Sequence, residues 1–155
     1  MSNKTENRFE NRRRARRRAL QALYQWHLTK QDVGEILNQF HEEQDFSNVD
    51  TELFATLVRK VSTGQDDLDE KITPFLDRPI EQLDIIEHVI LSMASYELLN
   101  SIEVPHQVVI DEAINLAKQF GAEQGHSFIN GVLDKAARKW RDPAALAIFN
   151  SGKSD

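Results

Sequence analysis

Apolar residues recur at intervals of three and four along almost the whole chain, the spacing that lines one face of an α-helix. The first such segment runs from about Glu10 to Leu28 and holds no Gly or Pro. Asp32 has Glu35 three residues on, the spacing of a capping box. Val33, Ile36, Leu37 and Phe40 then follow at helical intervals. Asp50 is placed to cap a third helix with Leu53, Phe54, Leu57, Val58 and Val61 on one face, and Gly64 is placed to end it. A short amphipathic segment over 66–76 carries Leu68, Ile72, Phe75 and Leu76, with Pro74 predicting a kink or stop. Leu83 to Leu99 is the most apolar stretch. Ile86, Val89, Ile90, Met93, Ala94, Glu97 and Leu98 share one side there, and Leu83, Ile85 and Leu91 broaden it. A stripe that wide predicts a central, buried helix. Val104-Pro105 breaks the chain; His106 to Phe120 and about Glu123 to Trp140 read as the last two helices, stopped by Gly121 and by Asp142-Pro143. No segment alternates apolar and polar residues as a half-buried strand would. The pattern predicts an all-α single domain of six to seven helices. It divides into a flexible N-terminal tail at 1–8, a helical domain over 9–141 and a tail at 142–155.

Composition changes that picture at one point. The 155 residues suit one domain with a real core, and 40% hydrophobic with 28% charged content is ordinary for a soluble globular protein. The absence of cysteine excludes disulfides and thiolate metal sites and fits a cytoplasmic protein. No apolar run approaches the roughly 20 residues a membrane helix needs, so no membrane partner is expected. The net charge of −6, however, hides a split. Residues 1–18 hold eight Lys and Arg against two Glu, and everything after them holds 11 basic against 23 acidic residues. A basic arm on an acidic body points to a polyanion partner.

Candidate chemistry elsewhere is sparse. His27, His41, His88, His106 and His126 stand far apart, none at metal-ligand spacing from another. Asp66, Asp67, Asp69 and Glu70 read as acids favoured at a helix start rather than as a metal site. "GAEQGHSF", residues 121–128, lacks the Lys-Ser/Thr ending and glycine spacing of a phosphate loop. Nothing marks a nucleophile. The reading is a chain with no catalytic residue, metal or cofactor.

The arginine run "RRRARRRALQALYQW", Arg12 to Trp26, carries the basic arm. On a wheel of ~3.6 residues per turn, Arg12, Arg13, Arg14, Arg16, Arg17 and Arg18 spread over roughly 240°, leaving a seam of Ala15, Ala19, Ala22 and Trp26. The small residues allow close packing of the helix. The arginines repel one another, and Glu10 alone is near enough to offset them. The run therefore reads as a phosphate-backbone contact, since guanidinium groups bind phosphate bidentately and stack on unpaired bases. A merely solvated first helix is the alternative.

That run, with "ILSMASYELL" (90–99), "VPHQVVIDEAINLAKQFGAE" (104–123) and "HSFINGVLDKAAR" (126–138), resembles the NusB family of bacterial transcription antitermination factors. The resemblance covers nearly the whole chain in order, and the Phe-Ile-Asn-Gly-Val-Leu-Asp-Lys string is its most specific part. It implies an all-helical fold of two small packed bundles. It implies binding of single-stranded boxA RNA together with NusE, a ribosomal small-subunit protein, and assembly with NusA, NusG and RNA polymerase, notably for ribosomal RNA transcription. Carried onto this sequence, the RNA surface falls on the arginine run and on His126, Phe128, Asn130 and Lys135. Phe128 fits either a base-stacking platform or core packing. Tyr24 and Glu87 match positions of the NusE-facing surface; a half-buried Tyr and an exposed helix Glu are the plainer alternatives. The sequence departs from the family pattern at Arg17 and Arg18, where a Glu commonly follows Arg-Ala-Arg, and at Gln124, Gly125 and Ser127, where Asp, Ser and Lys are common. Two other readings remain. One is a helical RNA-binding domain related to that of ribosomal RNA cytosine methyltransferases, whose enzyme needs a second domain and a catalytic cysteine. The other is a helical scaffold that binds protein alone.

Overall fold

The computed structural model describes residues 2–141, with side chains from Lys4 onward. Seven α-helices fill it: α1 (Ser2–Thr29), α2 (Val33–Glu43), α3 (Thr51–Thr63), α4 (Gln65–Ile72), α5 (Ile85–Asn100), α6 (His106–Phe120) and α7 (Gly125–Trp140). Two short 3-10 turns, Thr73–Phe75 and Ile80–Gln82, link α4 to α5. No strand occurs among the described residues. The all-α expectation holds, and Pro74 sits in the turn that stops α4. The expected tail at 142–155 and the Asp142-Pro143 stop lie outside the described residues.

The first helix departs from expectation at its start. Residues 1–8 were expected as a flexible tail, yet α1 begins at Ser2, with Lys4 to Phe9 exposed on it. This stretch has no Gly or Pro, and extending a helix already fixed by packing costs little per residue. At the other end Lys30 turns left-handed (φ 57°) and its N–H closes on the Trp26 carbonyl at 2.9 Å.

The caps follow the sequence signals in part. The Asp50 carboxylate accepts from the Leu53 N–H at 3.0 Å, and Asp32 from the Glu35 N–H at 3.3 Å. The reciprocal capping box forms elsewhere, at α5: Asp84 accepts from the Glu87 N–H at 2.8 Å while the Glu87 carboxylate accepts from the Asp84 N–H at 3.4 Å.

One apolar cluster runs from Ala15 to Ala137. α1 packs on α2 and α3, and α5 packs on α4, α6 and α7. α1 and α3 also meet α5, which joins the two helical groups into one core. α5 is buried on nearly all sides, as its wide apolar stripe predicts. Ala15, Ala19 and Ala22 are fully buried, so the alanine seam is real. The buried arc is wider than that seam, taking in Leu20, Leu23 and Arg16.

The end of α5 is held by a residue whose role the sequence did not signal. Arg141 is buried, and its guanidinium donates to the Leu98 carbonyl (3.0 Å), the Glu97 carbonyl (3.1 Å), the Ser101 carbonyl (2.9 Å) and the Val104 carbonyl. The last carbonyls of a helix have no partner within it, and a cation there also suits the helix dipole.

Candidate nucleic-acid interface

The six arginines between Arg12 and Arg18 have different environments. Arg16 is only 3% exposed and forms a two-pronged pair with Glu97 of α5, itself 2% exposed: Nε to Oε2 and Nη2 to Oε1, each 2.9 Å. It is therefore an internal tie, and its place on the expected RNA surface is corrected. At 40° on the wheel from Arg12, Arg16 falls inside the packed arc, and α5 presents a carboxylate to meet it. Arg13 reaches Glu112 of α6, with Nη2 to Oε1 at 3.0 Å and Nε to Oε2 at 3.2 Å, and its guanidinium also lies 5.1 Å from the ring of exposed Phe9. Arg18 donates to the Gln44 side chain at 2.7 Å and the Asp45 carbonyl at 3.0 Å, over the Phe46 ring. Arg14 donates to the Asn48 carbonyl at 3.3 Å.

Arg12 and Arg17 are different. Neither makes a hydrogen bond or ion pair among the described residues, and in each the Nε is shielded from solvent without a partner. Exposed Lys4 and Arg8 continue the positive charge along α1.

The start of α7 forms a second surface. Phe128 is half-buried, packed against the edge of the core, and the Arg78 guanidinium covers its ring at 4.1 Å. Arg78 is held in turn by Asp77, Nε to Oδ1 at 2.7 Å. One edge of Phe128 thus packs inward and one face meets a cation. No local sequence signal marks Arg78, because the ring it covers lies 50 residues further along the chain. His126 is partly exposed; Asn130 and Lys135 are exposed. The structure does not merge this surface with the arginine run. Gly125 lies beside Glu87 in the first turn of α5, where an added Cβ would stand 3.5 Å from the carboxylate, whereas Arg16 pairs near the far end of that helix. The ten-residue offset between Glu87 and Glu97 amounts to ~15 Å along α5.

Of the two expected partner residues, Tyr24 is 37% exposed and lines a groove of about 450 Å³ with Leu83, Ile86, Phe120 and Ala122. Glu87 is nearly buried and engaged in the capping box, not presented as an exposed helix Glu. Burial, then the neighbouring Asp84 carboxylate, raises its pKa above the usual carboxylate value. Close by, folding joins residues distant in sequence. His88 Nε2 sits 2.7 Å from Asp69 Oδ1, and its ring centroid is 5.2 Å from that of His27. Burial, then His88 and Lys30, hold the His27 pKa below the ordinary value. No group of three or more His, Asp or Glu among the described residues is arranged to hold a metal ion. No described helix is long and apolar enough to cross a membrane.

Fold and surface define a class: a single all-helical domain with a cationic helix edge on an acidic body. Residues 13–138 match the model of the NusB family, and the chain belongs to that family. It is 50% identical over 123 residues to the transcription antitermination protein NusB of Idiomarina loihiensis, covering 79% of this chain and 88% of that one. It is 47% identical over 124 residues to NusB of Pseudomonas savastanoi pv. phaseolicola, covering 80% and 75%. Among solved structures, T. maritima NusB is similar at a TM-score of 0.73 and 31% identity, covering 81% of this chain and 89% of that one. A chain in the crystal structure of the antitermination factors NusB and NusE in complex with dsRNA also gives 0.73, at 26% identity, covering 82% and 96%.

Proposed function

We propose that this protein is a noncatalytic RNA-binding transcription antitermination factor. It takes boxA-type nascent RNA together with NusE and joins NusA, NusG and RNA polymerase in the cytoplasm, notably during ribosomal RNA transcription. The observation that carries this reading is the cationic edge of α1, with Arg12 and Arg17 unpaired among the described residues, on a chain of the NusB family whose body is acidic. Phosphates supply what those guanidinium groups lack. Arg14 and Arg18 hold positions beside them, and Phe128 under Arg78, with His126, Asn130 and Lys135, adds a stacking surface. Tyr24 and its groove are the surface for NusE.

The test is a fluorescence-anisotropy titration of boxA-type single-stranded RNA, with and without NusE. Binding is expected to tighten when NusE is present. Arg12→Ala/Arg14→Ala is expected to weaken it and flatten its salt dependence by roughly 0.7 log units per lost contact. Unchanged affinity and slope in the double variant would overturn the reading.

A further inference from the structure

A second cationic feature lies between α1 and α6. A pocket of about 310 Å³ is lined by Arg13, Arg17, Glu112, Asn115, Lys118 and Gln119, with Leu116 beneath. Its one carboxylate, Glu112, is bonded twice over by Arg13. Arg17 and Lys118 make no ion pair among the described residues, and the Arg17 Nε is enclosed without an acceptor. Arg17 and Lys118 thus share a concavity whose one carboxylate is already engaged by Arg13, and the Asn115 and Gln119 amides add donors to its lining.

We infer that this pocket seats a backbone phosphate of the bound RNA, so that the RNA interface crosses from α1 onto α6 through Lys118, Asn115 and Gln119. The inference rests on the RNA-binding reading above and deepens it. A phosphodiester oxygen in the pocket accepts from the Arg17 guanidinium and the Lys118 ammonium together, relieving their mutual repulsion. Arg13 and Arg17 are one helical turn apart, ~6 Å along α1, so the positive row leaves the pocket and continues along the helix. A polynucleotide carries the repeated negative charge that such a row matches; a single carboxylate of a protein partner does not. Seven residues beyond Arg17 on the same face stands Tyr24, which places the RNA track against the groove proposed for NusE.

Lys118 is exposed, so Lys118→Gln leaves the core untouched and a melting curve checks the fold. The full chain is titrated with single-stranded boxA-type RNA over a salt series, with Arg12→Gln as a parallel arm, and separately with inorganic phosphate by amide NMR. Lys118→Gln and Arg17→Gln are each expected to weaken RNA binding several-fold. Each should lower the salt slope by roughly 0.7, and in the double variant the two losses should overlap within the one pocket. Shifts at Asn115 and Lys118 with RNA, weaker with inorganic phosphate alone, complete the expected result. If Arg12→Gln weakens RNA binding while Lys118→Gln and Arg17→Gln do not, the pocket assignment fails and the RNA-binding reading stands. If none of them weakens it, the assignment falls together with that reading. If Lys118→Gln impairs NusE binding and leaves RNA binding intact, the pocket is a protein contact and the inference is overturned.

Discussion

The arginine half of α1 and the opening turns of α7 both read as RNA-contacting surface, and folding treated them in different ways. In α1 most of the arginines between Arg12 and Arg18 are tied to neighbouring elements, though only Arg16 is buried. Arg16 ties to Glu97, Arg13 to Glu112, and Arg14 and Arg18 to the α2–α3 connection, leaving Arg12 and Arg17. In α7 one aromatic residue is half-buried at the edge of the core, its ring covered by an arginine from a distant connector. The difference teaches that the count of cations in a run does not measure the charge offered to a ligand. What neighbouring helices present to the run decides that.

The largest effect that would sharpen this contrast is Arg16→Ala. It strands the Glu97 carboxylate in the core, at an expected cost of about 3–5 kcal/mol in urea-unfolding stability. The RNA affinity of the folded fraction should stay unchanged; a stable Arg16→Ala with lost RNA binding would make Arg16 a ligand residue after all. Next comes Arg141→Ala, which removes four donors from the end of α5 and should lower stability by about 1–3 kcal/mol without touching RNA affinity. Phe128→Ala should cost on the order of 1–3 kcal/mol in RNA affinity with the fold retained. A lowered melting temperature with no RNA effect would show that the α7 start is as structural as most of the α1 arginines.

The smallest effect concerns pH at the far end of α1. The folded state holds the His27 pKa below its ordinary value, so below about 6.5 the unfolded chain binds the proton more readily. The stability this contributes is present above the ordinary value and is lost as pH falls through the lowered one. Denaturation midpoints at pH 7.5 and pH 5.5 should differ in that direction, and His27→Gln should narrow the gap. An unchanged gap would place the acid sensitivity elsewhere.

Much of the fold was legible because local signals carried it. The interval of apolar residues, Asp50 before α3, and Pro74 and Gly64 at helix ends each act through neighbours a few residues away. The placement of Glu97 on the apolar side of α5 was legible too, as was the alanine seam of α1. The partner that explains a buried carboxylate was not, because Arg16 and Glu97 are 81 residues apart and only the crossing of α1 over α5 makes them neighbours. The same holds for Arg141 under α5, for Arg78 over Phe128, and for His27 beside His88.

Sequence alone settled where the helices after residue 9 lie, which helix is central and that the chain carries a basic arm on an acidic body, since these follow from short-range periodicity and from counting charges. It also carried the resemblance to the NusB family, which the match over 13–138 bears out. Which arginines remain for a ligand was settled only by tertiary packing. A charge entering the core needs a partner at hydrogen-bond distance, and the helix that supplies that partner is chosen by the fold, not by position in the chain.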